Sequence, residues 1–292
     1  MTDSFVNNTL LPKDYSGIYA YPQIVQDWWR KEPNYLIEYD ESVKDKSYCA
    51  IYFCSNDIWF PHTEEMFKKR IVNLNFFEWY KCRIKRAYKH IFVRDVFKQW
   101  YLTGINGDIS SQDKLYEWLL SETSGYKTIT VGSSAGGYAA SLFGSRLRSE
   151  MVICFNAQFS LKNVASNSGP KNNPIVYSMV KECGFDAGIV KFFDARTPIF
   201  YVLSNKSEID LWQSKFVKNH PSVHVIEFTS RKHGVPFLKV ALADFINFDA
   251  CKLENLSKTK QSSILFTILE VGLSKTITGF AQQVVSTYKK RH

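Results

Sequence analysis

The segment Thr128-Ile-Thr-Val-Gly-Ser-Ser-Ala-Gly-Gly-Tyr-Ala-Ala140 constrains the fold of this chain more than any other stretch. A run of β-branched residues enters a Gly-x-Ser-x-Gly pentapeptide, Gly132 to Gly136, and leaves into a small-residue helix. That is the strand, sharp turn and helix of a nucleophile elbow. At such a turn the serine is held in a strained conformation, and side chains two positions before and after it would collide with neighbouring backbone. Glycine at both places removes the clash. Only Ser134 has glycine at both positions; Ser133 does not. Ser134 is therefore the expected nucleophile. A phosphate-binding loop is excluded, because no Lys-Ser/Thr pair closes the glycine run.

Apolar runs and helical patterns alternate around this elbow. Strands are predicted over 34–40, 47–53, 90–95, 151–156, 198–203 and 223–228, besides the one that enters the elbow. Several are nearly continuous apolar runs, such as Tyr48-Cys-Ala-Ile-Tyr-Phe53, as expected of strands covered on both faces. Helices are predicted over 23–30, 111–121 and 209–218 and after the elbow, Leu115, Trp118 and Leu119 marking the apolar face of the second. Alternation of this kind gives a mostly parallel central sheet with helices on both faces. Residues 157–197 carry Asn, Ser, Gly and Pro punctuation and are too long for a plain connection, so a lid-like excursion over the site is expected. The expected organisation is a lead-in over 1–47 packed on the core, a core over 48–248, and a helical tail over 249–292.

A nucleophilic serine needs a base, and the base needs a carboxylate to hold its tautomer. With this kind of elbow the order along the chain is Ser, acid, His. His233, in the loop after the last strand, is the expected base, ahead of His224 in a strand, His220 before a proline, and His62 and His90 before the elbow. The acid should follow the strand that ends near Leu203, where Asp210 and Glu208 both qualify. Asp210 is preferred as the commoner residue type and as a cap for the helix that follows, with Glu208 the alternative. The backbone N–H after the nucleophile, that of Ala135, and one from the loop after the second strand, at Ser55 or Asn56, should form an oxyanion hole. Arg94, at a strand's carboxyl end, and Tyr138, in the elbow helix, are the expected substrate contacts, a structural pair of Arg94 with Asp95 being the alternative for the first. No ligand cluster at zinc-like spacing occurs, and no metal is expected.

Composition narrows the partners. A formal net charge of +9 on 292 residues points to an anionic partner, and no nucleic-acid-binding signature accompanies it. Much of the charge lies in 62–89, from Lys68 to Lys89, which reads as a solvated helical face or a groove for an anionic polymer. Trp28-Trp29 reads as packing on the sheet edge or as a sugar platform. The six cysteines form no CxxC pair, and the first residues lack a signal-peptide pattern, so a reduced, cytoplasmic setting is expected. The tail over 262–287 reads as one amphipathic helix, with Ile264, Leu265, Ile268, Leu269 and Leu273 on one side. It should dock on the domain or on a second copy, the alternative being peripheral attachment to anionic lipid.

Beyond the elbow, the segments Phe53-Cys-Ser-Asn56, Ile91-Phe-Val-Arg-Asp95 with Trp100-Tyr101, Phe155-Asn-Ala-Gln158, Asp210-x-x-Gln213 and His233-Gly234 carry a likeness. Over roughly 48–245 the chain resembles α/β-hydrolase-fold proteins of bacterial surface (capsular) polysaccharide biosynthesis, among them serine-dependent polysaccharide O-acetyltransferases. The resemblance implies an α/β-hydrolase fold, Ser134, Asp210 and His233 as a triad, acetyl-CoA as co-substrate with no bound cofactor, and an anionic polysaccharide as acceptor. An esterase or deacetylase using the same triad is the alternative, and a non-catalytic polysaccharide-assembly protein the next.

Overall fold

A computed structural model describes residues 20–166, 173–182, 184 and 188–291. Its centre is a seven-stranded sheet: β1 (Tyr35–Tyr39), β2 (Tyr48–Phe53), β3 (Lys89–Val93), β4 (Lys127–Ser133), β5 (Met151–Phe155), β6 (Ile199–Ser204) and β7 (Val223–Phe228). The spatial order is β1-β3-β2-β4-β5-β6-β7. All neighbours are parallel except β1, which runs antiparallel to β3 with Ile37 opposite Ile91. The predicted strands are all present. Because β1 belongs to the sheet, the core takes in part of the expected lead-in; residues 1–19 of that lead-in lie outside the described residues.

Strands β2 to β6 are buried along nearly their whole length, as continuous apolar runs require, and the edge strand β7 is half-buried. The longer helices are α1 (Gln23–Lys31), α2 (Gln112–Glu122), α3 (Ala135–Arg146), α4 (Glu208–Ser214), α5 (Ala250–Ser257), α6 (Ser263–Val271) and α7 (Leu273–Arg291). Helix α3 is buried from Ala135 through Ser145 and packs against β2, β4 and β5, which explains its small residues. Strands β4 to β7 progress to one side of the sheet and β2, β3 and β1 to the other. The order therefore reverses between β2 and β4, and the crevice at the carboxyl ends of those two strands is where open α/β sheets bind ligands.

Several expectations change. The run over 62–89 is neither a helical face nor a continuous basic groove. It is a short helix, a wider turn and loops between β2 and β3, and Lys68, Arg83, Arg86 and Lys89 each meet a carboxylate: Glu64, Glu38, Glu150 and Glu122. Trp29 is buried and its ring packs on Phe97, while Trp28 donates its indole N–H to Asn34 Oδ1, so the pair packs the sheet edge. Parts of the excursion, 167–172, 183 and 185–187, lie outside the described residues. Of its described apolar residues, Phe159, Leu161, Ile175 and Val176 are buried in the core, and Val164, Val180, Val190, Phe192 and Phe193 pack partly buried against it.

The tail is two helices. Gly272, at φ 82°, breaks the expected single helix between Val271 and Leu273. The face that docks is not the one the sequence pattern suggests. Phe266 enters an aromatic cluster of Phe228, Phe237, Phe245 and Phe248. Burial of one such ring stabilises by about 1.5–3 kcal/mol. Ile264, Leu265, Leu269 and Leu273 are more than half exposed. No helix among the described residues is long and apolar enough to cross a membrane. Cys49, Cys54, Cys82, Cys154 and Cys251 are free thiols, and Cys183 lies outside the described residues.

Candidate active site

The elbow forms as its glycines demand. Ser134 has φ 54° and ψ −118°, between the end of β4 and the start of α3. A Cβ on Gly132 would run into the Gly136 carbonyl, and one on Gly136 into the Phe53 carbonyl of β2. The Ser134 N–H donates to Phe155 O of β5 at 2.8 Å, so the strained residue is anchored to the next strand. Helix α3 starts at Ala135, whose N–H lies at the positive end of the helix with no helical carbonyl one turn earlier to bond.

Three side chains far apart in sequence meet here. His233 Nε2 lies 2.8 Å from Ser134 Oγ, and His233 Nδ1 lies 2.8 Å from Asp210 Oδ1. Asp210 sits in the first turn of α4, fully buried, where the helix dipole favours a carboxylate. Its Oδ2 has no hydrogen-bond partner among the described residues. Glu208 stands at the exposed start of the same helix, with Ser207 at the N-cap position, so Asp210 does not cap the helix. The His233 side chain is 44% exposed.

The loop that carries His233 is held by a residue the motif search passed over. Asn156, fully buried at φ 42°, donates through Nδ2 to Gly234 O at 2.7 Å and Lys232 O at 3.3 Å, and accepts the Ser204 N–H at 2.8 Å. Ser204 Oγ donates to Lys232 O. The ends of β5 and β6 thus clamp the histidine loop.

Of the two oxyanion residues expected from the β2 loop, Ser55 is already engaged. Its N–H donates to Glu78 Oε2 at 2.6 Å and its hydroxyl to Glu78 Oε1 at 3.2 Å. Glu78 is half-buried, and desolvation raises its carboxyl above the usual carboxylate range. The N–H of Asn56, next along, bonds to nothing among the described residues. Arg94 is a correction. It is 2% exposed, donates to Asn34 Oδ1 and Phe76 O, and lies over the Phe77 ring at 4.4 Å. Burial pulls its guanidinium down to about 10. It braces β3 against the preceding loop and does not line the cleft. Tyr138 is likewise turned into the core, 1% exposed, accepting from Gln112 Nε2 at 3.3 Å.

A cleft of about 390 Å³ opens on Ser134 and His233. Its walls come from 55–62, 78–82 and 232–242, with Lys232 and Lys239 as cations and Asp57 and Glu78 as anions. The excursion over 157–197 contributes a residue below it instead. Gln158, two positions beyond Asn156, lies with Nε2 at 3.4 Å from both Ser134 Oγ and His233 Nε2. Sequence reasoning missed Glu78 and gave Asn156 and Gln158 no role, although the Phe155-Asn-Ala-Gln158 segment carries part of the likeness and follows directly on the carboxyl end of β5, the ligand edge of the sheet.

The strand order, the elbow between β4 and α3, and the Ser–acid–His order along the chain define an α/β-hydrolase fold. No protein-family model matches the sequence, and no curated protein matches it. Solved structures similar to this chain include the capsule O-acetyltransferase of Neisseria meningitidis serogroup A, at 12% identity over 66% of this chain and 81% of that one, with TM-score 0.48. Esterase B from Lactobacillus rhamnosis is similar at 13% identity over 84% and 92%, TM-score 0.40. MenH from Staphylococcus aureus is similar at 12% identity over 78% and 100%, TM-score 0.39. At these values the likeness carries no argument about activity, and the fold assignment rests on the strand order and the elbow.

Proposed function

We propose that the chain transfers an acyl group through an acyl-Ser134 intermediate, as an O-acetyltransferase that takes acetyl from acetyl-CoA and delivers it to a hydroxyl of an anionic bacterial surface polysaccharide. The observation that carries the reading is the relay Ser134 Oγ, His233 Nε2, His233 Nδ1, Asp210 Oδ1, both of its links 2.8 Å. His233 takes the Ser134 hydroxyl proton as Oγ attacks the thioester carbonyl carbon. The buried Asp210 carboxylate steadies the imidazolium that forms. The N–H groups of Ala135 and Asn56 face the oxyanion. Collapse expels the CoA thiolate, which recovers the proton from Nε2. In the second half the acceptor hydroxyl gives its proton to Nε2 and attacks the ester, and Ser134 Oγ leaves with that proton.

Lys232 and Lys239 at the cleft suit both the phosphates of CoA and an acidic acceptor chain. The resemblance of the flanking segments to the polysaccharide O-acetyltransferases supports the same choice, and a cytoplasmic setting would supply acetyl-CoA. One observation favours hydrolysis instead: the 44% exposed His233 leaves water a path to the base. Incubation with acetyl-CoA, with and without an anionic glycan, separates the two. A transferase releases CoA slowly alone and much faster with glycan, the acetyl appearing on sugar. Free acetate formed at one rate regardless of glycan, with hydrolysis of acetylated glycan, makes the enzyme an esterase.

A further inference from the structure

We infer that Gln158 is a further catalytic residue, whose carboxamide N–H holds the oxygen of the acyl acceptor against His233 during the second half-reaction; the inference rests on the acyl-Ser134 reading above.

Orientation comes first. Trp100 Nε1 lies 3.1 Å from Gln158 Oε1. An indole N–H is a donor only, so the atom it meets must be the carbonyl oxygen of the amide. That assigns the other end: Ser134 Oγ lies 3.4 Å from both Oε1 and Nε2 of the amide, and the NH₂ group of Gln158 is the end that also reaches His233 Nε2, at 3.4 Å. The side chain is 4% exposed and cannot swing freely.

The fold goes to some length to place that indole. Trp100 and Tyr101 both adopt left-handed backbone conformations, φ 55° and 58°, and Lys98 does so at 57°. Each such residue costs of order 1–3 kcal/mol and persists only where its surroundings over-determine it. Here the surroundings are Asp95, a buried carboxylate that accepts the N–H groups of Phe97 at 3.0 Å, Gln99 at 2.7 Å and Tyr101 at 2.9 Å. Gln112 Nε2 holds the Trp100 carbonyl at 3.3 Å. A strained, buried loop with its own carboxylate anchor thus fixes the Trp100 N–H against the Gln158 carbonyl, while its Tyr101 hydroxyl donates to Cys54 O and its Gln99 accepts the Val176 N–H.

Position then separates this role from that of the oxyanion hole. The oxyanion donors lie on the β2 side of Ser134, at Ala135 and in the loop after β2. Gln158 follows β5, the neighbour on the opposite side of β4. A tetrahedral carbon on Oγ directs its oxyanion toward β2, and the group attacking or leaving lies on the other side, beside His233. An oxygen hydrogen-bonded to His233 Nε2 falls within reach of Gln158 Nε2, because the two nitrogens are 3.4 Å apart. In the free enzyme the amide lies against Ser134 Oγ through both its Oε1 and its NH₂ group, each at 3.4 Å. Once Oγ is esterified it becomes a poor acceptor, and the amide turns its bond to the incoming hydroxyl or water. No new co-reactant is required: the acceptor proton passes to Nε2, and Gln158 only fixes where the oxygen stands.

The experiment resolves the two half-reactions in the full chain, by stopped flow with p-nitrophenyl acetate and by intact mass with acetyl-CoA, for wild type, Gln158→Met and Trp100→Phe. Wild type should show a burst and turn over. Gln158→Met keeps the side-chain length and removes the donor. Its burst rate should stay within about threefold of wild type, which also reports a native fold, while deacylation falls about tenfold to a hundredfold, the loss of one oriented hydrogen bond or slightly more. Acetyl-Ser134 should then accumulate. Trp100→Phe should slow the same step less, and the double variant should be no slower than Gln158→Met alone. Equal slowing of both half-reactions, or of neither, overturns the role of Gln158 while leaving acyl-Ser134 standing. Absence of any acetyl-Ser134 in wild type, with no burst, overturns both.

Discussion

Asp210 is fully buried, yet its Oδ1 lies 2.8 Å from Nδ1 of His233, a side chain 44% exposed. The carboxylate is shielded by the first turn of α4 while the imidazole it orients stands at the cleft mouth. Asp210→Asn leaves the geometry and mis-sets the tautomer, so turnover is expected to fall on the order of 10⁴-fold. Glu208→Gln, on the exposed side of the same turn, should be near neutral. Steady-state kinetics of the two variants checks the ranking, and the reverse order would transfer the role to Glu208.

Ser134→Ala should lower turnover by several orders of magnitude with an unchanged melting temperature, since a hydroxyl is lost from a residue whose backbone supplies the turn. Ser133, at the end of β4 and buried, forms no hydrogen bond to His233 among the described residues, and Ser133→Ala should cost little. Equal losses from both would remove Ser134 from its role.

Gly136→Ala tests the packing of the elbow rather than its chemistry. The added methyl meets the Phe53 carbonyl, backbone that cannot yield without moving β2. A destabilisation of about 1–3 kcal/mol is expected, read as a lower midpoint in urea. An unchanged midpoint would mean that β2 and α3 sit further apart than described.

Lys98 and Asp95 give the loop that carries Trp100 a distinct pH signature. Burial pulls the Lys98 ammonium down to about 7 and pushes the Asp95 carboxyl up to about 6. For Lys98 the unfolded chain binds the proton more tightly between about pH 7 and its ordinary value of 10.5, so its contribution to stability rises with pH across that window. For Asp95 the folded chain binds the proton more tightly between 3.8 and about 6, so its contribution falls as pH rises through that range. Lys98→Met should abolish the first effect. The melting temperature of wild type relative to Lys98→Met should therefore climb from pH 7 to pH 10, and a constant difference would show that Lys98 keeps its charge in the fold.

What was legible in the sequence was what short-range sterics and periodicity dictate. The elbow needs glycine at 132 and 136 whatever surrounds it, because the clash it avoids arises within five residues and one neighbouring strand. The strands over 48–53, 151–155 and 199–204 show as apolar runs because both faces of a parallel sheet are covered. His233 follows from chain order once the elbow is placed.

Only the tertiary structure decided between Glu208 and Asp210. Two residues apart on one helix, their side chains point about 200° from each other around its axis. Which of them meets His233 depends on how α4 docks against β6, and that leaves no mark in the local sequence. The same holds for Arg94, which a strand-end position offers to a ligand but which loop 76–77 covers. It holds too for the tail, where one ring, Phe266, finds the aromatic cluster and turns the more regular apolar stripe outward. Gln158, Asn156, Glu78 and Trp100 are ordinary residues until the carboxyl ends of β2, β4, β5 and β6 bring them within hydrogen-bond reach of Ser134, His233 or the loops that hold them. Bonds of that kind join positions 20 to 80 apart in the chain, and the sheet's strand order alone selects them.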